Sequence, residues 1–97
     1  MRPSISVAKH SGQVRNILER FRMANPQLFG SAARGDDTEE SDLDILVQAP
    51  PDATFYDLAR AELELEAVLG CKVEVLTRES LAPDIAEKAE ADLAPIP

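Results

Sequence analysis

Hydrophobic spacing is clearest early in the chain. From Ser11 to Ala24, Val14, Ile17, Leu18 and Phe21 recur at helical intervals, while Arg15, Glu19, Arg20 and Arg22 take other faces. The pattern predicts an amphipathic helix, ended near Asn25-Pro26 because the residue before proline avoids the helical region. Gln27-Leu28-Phe29 is a brief apolar run closed by Gly30-Ser31, which suits a short strand entering a turn. Gly35 to Ser41 reads as an acidic, solvated loop. Leu43, Ile45 and Val47 then alternate with Asp42, Asp44 and Leu46 in the period of two of a strand, which Ala49-Pro50-Pro51-Asp52 stops.

The stretch Thr54 to Leu69 contains Glu62-Leu63-Glu64-Leu65-Glu66, an alternation that imitates a strand. Its composition predicts a helix instead: Ala, Leu and Glu are strong helix formers, no β-branched residue precedes Val68, and Leu58, Ala61, Leu65 and Val68 fall on one stripe. Gly70 is a natural stop. Cys71 to Leu76 reads as a second strand with Val73 and Val75 on one face and Lys72, Glu74 and Leu76 on the other. A last helix opens at Pro83, with Ile85, Ala89 and Leu93 spaced by four, and Pro95-Ile96-Pro97 ends the chain. The order helix, strand, strand, helix, strand, helix predicts an α/β (α+β) fold, a small mixed sheet with helices packed on it. Phe29 and Phe55 are expected in the core.

A chain of 97 residues supports one domain, expected over residues 1–97, and 44% hydrophobic content makes it globular with an aliphatic core. Eighteen acids against ten bases give a charge of -8, which argues against nucleic acid as the main partner. Cys71 has no partner for a disulfide, and with the single His10 it cannot build a zinc site; it is expected as a small buried hydrophobe. No window approaches a membrane span, and Met1-Arg2-Pro3-Ser4-Ile5-Ser6 leads into no apolar signal core, so a cytoplasmic location is expected.

Two short segments carry candidate chemistry. Gly30 lets a bound group approach the backbone, and Ser31 can cap a short helix whose free amides point at an anion, so the turn suits a phosphate. Arg34 either adds a cation there or holds a nearby acid. The spacing Gly30-x4-Gly35 imitates a P-loop, but Asp36 and Asp37 stand where that motif needs Lys and Ser or Thr. An EF-hand read from Asp37 fails because Asp42 occupies the obligatory glycine. Asp42 and Asp44 lie on one strand face, roughly 7 Å apart at Cα, and two such hard carboxylates suit one or two magnesium ions. Glu74 completes the cluster if its strand lies beside theirs. Taken singly, a Gly-Ser turn is an ordinary helix start, Asp-x-Asp a solvated strand face, and Glu74 an acid facing water; their combination carries the meaning.

That combination, Leu28-Phe29-Gly30-Ser31-Ala32-Ala33-Arg34-Gly35 with Ser41-Asp42-Leu43-Asp44-Ile45-Leu46-Val47, resembles the signature of minimal nucleotidyltransferases of the polymerase-beta superfamily. Val73-Glu74-Val75-Leu76-Thr77 onward resembles that family's last strand and helix. The resemblance implies a palm-like fold, with Asp42, Asp44 and Glu74 as catalytic and metal residues holding two Mg2+ ions. It implies nucleotide binding by Gly30, Ser31, Arg34 and Ser41, with ATP as substrate. It also implies a HEPN-type toxin as hetero-oligomeric partner, so that the chain is the antitoxin of a toxin-antitoxin pair and transfers AMP to a tyrosine hydroxyl of that toxin. The third acid is Glu74 where Asp is commoner, which bears on the base that activates the acceptor. Two other functions compete: a non-catalytic antitoxin that works by occlusion, and nucleotidyl transfer to a small molecule.

Overall fold

The computed structural model describes residues 1–97. Two strands occupy the segments where apolar residues alternate, β2 at Leu43–Gln48 and β3 at Val73–Thr77. They run parallel, and the connection between them is the helix α4, Phe55–Leu69, as a parallel pair requires. Upstream, β1 spans Ala24–Phe29 and pairs antiparallel with β2. A two-residue strand β4, Ala94–Pro95, pairs antiparallel with the other side of β1, giving a mixed sheet of order β3-β2-β1-β4.

Two helices precede the sheet, α1 at Pro3–Lys9 and α2 at Ser11–Arg20. Together with α4 they cover one sheet face. Val7, Val14, Ile17, Leu18, Leu65 and Leu69 form a single buried cluster with Leu28, Leu43, Ile45, Val47, Val73 and Val75. The Glu/Leu alternation is helical as composition predicts, with Leu65 buried and Leu63 exposed. A capping box starts α4: Thr54 Oγ1 accepts from the Asp57 N–H, and Asp57 Oδ2 accepts from the Thr54 N–H. Gly70 ends the helix in the left-handed conformation.

Outward-facing amides of the edge strand β3 are satisfied by α4. Val73 N–H donates to Glu66 Oε2 at 3.0 Å, and Val75 N–H donates to Glu62 Oε2 at 2.8 Å. Two glutamates one helical turn apart thus meet two amides two residues apart, which leaves that edge little to offer another strand.

Several boundaries differ from those the sequence suggests. The first predicted helix stops at Arg20, not near Pro26, because Arg22 adopts a positive φ of 57° and the chain turns there. β1 then starts at Ala24, with a register irregularity before Gln27 and Asn25 at φ 49°, which accommodates Pro26 within the strand. β3 starts at Val73 rather than Cys71. Near the C-terminus, α5 spans Pro83–Ala91 and ends before Leu93; Ala94 and Pro95 join the sheet and Ile96 is buried. Arg15 Nη2 donates to the Ile96 carbonyl at 2.6 Å. Phe55 is 86% exposed at the start of α4, not in the core, while Phe29 is partly buried. No helix is long and apolar enough to cross a membrane.

Candidate active site

β1 leads into a turn at Gly30, whose φ of 75° and ψ of −148° suit only glycine. The four-residue helix α3, Ser31–Arg34, follows, and Gly35 ends it in the left-handed region. Gly30, not Ser31, occupies the capping position; Ser31 is the first helical residue and supplies no capping bond, which corrects the sequence expectation. The spacing was compatible with either residue, and the left-handed φ decides for glycine.

Strand register brings the candidate acids together. Phe29 pairs with Asp44 across β1 and β2, and Asp44 pairs with Glu74 across β2 and β3, so Asp44 is flanked by the Gly30 turn and by Glu74. A Cβ on residue 30 would lie 3.0 Å from Asp44 Oδ2, so the missing side chain is what lets the carboxylate sit against the turn. Asp42 stands exposed just before β2, and Asp44 is half-buried.

The half-buried carboxyl of Asp44 is pushed up to about 6, first by burial and then by the charges of Glu74 and Asp42. None of the three acids belongs to any of the six ion pairs in the chain. Such a set is short of positive charge, and its hard oxygen donors are those magnesium takes. As the side chains lie, however, no group of three His, Cys, Asp or Glu is gathered closely enough to hold an ion. The donor chemistry and the uncompensated charge fit a divalent cation; the acids share a site through register without converging on a point.

Arg34 and Ser41 are engaged elsewhere. Arg34 Nε donates to Asp36 Oδ2 at 3.1 Å and its Nη1 donates to Asp92 Oδ2 at 2.9 Å, so the guanidinium holds nearby acids. Those two bonds, Asp36 first, raise its pKa. Ser41 Oγ accepts from the Thr38 N–H at 2.9 Å and closes a turn of the loop. Cys71 is partly buried, and burial pushes its thiol up, away from nucleophile chemistry.

Asp37 departs from the solvated-loop expectation. It is 3% exposed and accepts from both the N–H and the hydroxyl of Ser4, each at 2.8 Å. Nothing in an acidic run distinguishes one buried member from its solvated neighbours, and the donor is 33 residues away. The largest groove, about 830 Å³, lies at the opposite end of β2 between Gln48, Pro50, Phe55, Leu58 and Thr77, and no acid of the cluster lines it.

A family model described as a nucleotidyltransferase domain matches residues 11–94. A protein of Methanocaldococcus jannaschii, provisionally named a protein adenylyltransferase, is 43% identical over 67 residues, which are 69% of this chain and 72% of that protein. The protein adenylyltransferase MntA of Thermococcus cleftensis is 36% identical over 73 residues, 75% of this chain and 74% of that one. A solved structure provisionally named a minimal nucleotidyltransferase aligns with a TM-score of 0.83 at 33% identity, covering 95% of this chain and 94% of that chain. The fold also matches a complex of an MNT antitoxin with the tri-AMPylated HEPN toxin of Shewanella oneidensis, at a TM-score of 0.72 and 15% identity over 93% of this chain and 71% of that chain.

Proposed function

The chain belongs to the nucleotidyltransferase domain family as a minimal nucleotidyltransferase, and from that membership we propose that it transfers AMP from MgATP to a tyrosine hydroxyl of a HEPN-type toxin, acting as the toxin's antitoxin. The observation that carries the reading is the alignment of Asp44 with Glu74 beside a turn whose Gly30 leaves room for that carboxylate alone. Protein relatives bearing the name protein adenylyltransferase support a protein acceptor, and the fold match to an antitoxin bound to an AMPylated HEPN toxin supports the partner.

In this reading Gly30 and Ser31 receive the triphosphate. No side chain caps the start of α3, so its first amides are left for an anion. Asp42 and Asp44 hold magnesium, with Glu74 as third ligand or as base. Magnesium, when bound, offsets charge on the triphosphate and on the leaving pyrophosphate. The acceptor oxygen forms a bond to the α-phosphorus as the bond to the β-phosphate oxygen breaks, pyrophosphate departs, and the hydroxyl proton passes to Glu74. Positioning and charge are most of what such a transfer asks of a protein.

Mass spectrometry of the HEPN partner after incubation with this chain and MgATP tests the proposal. The expected result is a mass increase of one or more AMP units, absent with Asp42→Asn; an unmodified partner with the wild-type chain overturns it. One observation favours a second reading, neutralisation by occlusion: the three acids do not converge as they lie. If Asp42→Asn/Asp44→Asn still silences the toxin in cells, occlusion replaces chemistry.

A further inference from the structure

The loop joining the Gly30 turn to Asp42 is held at one buried point. Within the loop, the Ser41 N–H donates to the Thr38 carbonyl at 3.1 Å and Ser41 Oγ accepts from the Thr38 N–H, so residues 38–41 form a closed turn. Downstream, the Leu43 N–H donates to the Lys72 carbonyl at 2.8 Å and fixes the start of β2. Upstream, the anchor is Asp37. Helix α1 lacks a capping side chain at Arg2, and Pro3 has no N–H, so Ser4 carries the first free amide of that helix. Asp37 takes this amide and the Ser4 hydroxyl together, an N-terminal cap delivered from a distant loop. Burial pushes the Asp37 carboxyl up, but the Ser4 bonds outweigh it, aided by the charge of Arg2, and hold the group below its usual value. On its other side α1 is tied to the body of the fold: Ser6 Oγ donates to the Leu69 carbonyl at 2.8 Å, and Val7 is fully buried.

We propose that Asp37 is a positioning residue for nucleotidyl transfer, its bonds to Ser4 making α1 a fixed post from which loop 36–41 sets the place of Asp42 relative to the Gly30 turn. The inference rests on the reading of Asp42 as a magnesium ligand. Asp42 is exposed and precedes the first ladder bond of β2, so the loop is its restraint on the upstream side. Freeing Asp37 leaves the strand register intact and lets one ligand wander.

Calorimetric titration of ATP binding against magnesium chloride tests this without an acceptor. Asp37→Ala is expected to raise the magnesium concentration for half-maximal ATP binding roughly tenfold, the usual scale for loss of a residue that supports a metal ligand. Asp37→Asn keeps an acceptor for the Ser4 amide and recovers most of that loss. Thr54→Ala removes the cap of α4 at the far end of the sheet from the acids and touches neither α1 nor the loop; it lowers the melting temperature and leaves the magnesium dependence unchanged, which separates positioning from mere stability. Wild-type magnesium dependence in Asp37→Ala, or an equal shift in Thr54→Ala, overturns the proposal. Asp42→Asn distinguishes the two levels: if it leaves the magnesium dependence unaltered, the site reading itself fails, whereas loss in Asp42→Asn with no change in Asp37→Ala removes the positioning role alone.

Discussion

Asp44→Asn is expected to stabilise the ligand-free protein at neutral pH while ending nucleotidyl transfer. The carboxyl sits at about 6 against an ordinary 3.8, so the folded state binds its proton more tightly than the unfolded chain does. Stability from this group is therefore complete below the unfolded value, declines as pH rises, and is lost above the folded value. A displacement of that size corresponds to an upper bound of about 3 kcal/mol of unfavourable burial and repulsion at neutral pH. The group is only half-buried and solvent screens it, so ~1 kcal/mol is the working figure. In a domain of this size that raises the melting temperature by roughly 4–8 °C. The assay is thermal unfolding of both proteins at about pH 8 and about pH 4, with the advantage of the variant present at the first and absent at the second. Magnesium and ATP reverse the order by stabilising the wild type alone. A variant that melts no higher than wild type near neutrality, or that keeps the same advantage in acid, refutes the electrostatic reading of the cluster.

Two further substitutions probe the frame around those acids. Gly30→Ala forces a side chain into a backbone region reserved for glycine and against Asp44, so stability falls by about 1–3 kcal/mol and ATP binding is lost; denaturant unfolding and calorimetry check both, and an unstrained, ATP-binding variant contradicts the turn geometry. Glu62→Ala/Glu66→Ala removes the acceptors of two β3 amides, lowering stability by about 2 kcal/mol or more and exposing a strand edge. Denaturant unfolding and light scattering against concentration measure these effects, and a variant as stable and as monodisperse as wild type contradicts the edge assignment.

Elements with one strong period were legible in the sequence. Val14, Ile17 and Leu18 in α2, the Leu43-Ile45-Val47 face of β2 and the Ala61-Leu65 stripe of α4 all reach the core as their spacing predicts. What escaped depends on partners far away in the chain. Helix α1 is too short for periodicity to register, and two of its polar residues are satisfied by Asp37 and by the Leu69 carbonyl. β4 exists only because β1 offers it a ladder, so Ala94 and Pro95 carry no strand pattern of their own. The candidate site shows the same division. The spacing of Asp42 and Asp44 was visible, and the alignment of Asp44 with Glu74 followed once β3 lay beside β2. The buried anchor at Asp37 and the pairing of Arg34 with Asp92 were not, since neither has a local pattern.

Because Asp44 and Glu74 face each other through a ladder of main-chain bonds, the distance between them is a property of sheet alignment and is indifferent to the length of the connections. Residues inserted among Pro50, Pro51 and Asp52 would lengthen a surface bend and leave both acids where they are. A single residue removed from the start of β3 would instead turn Glu74 toward the helices and offer a valine to the acids. The connection from β2 to β3 can therefore vary freely, and the strands it joins hardly at all.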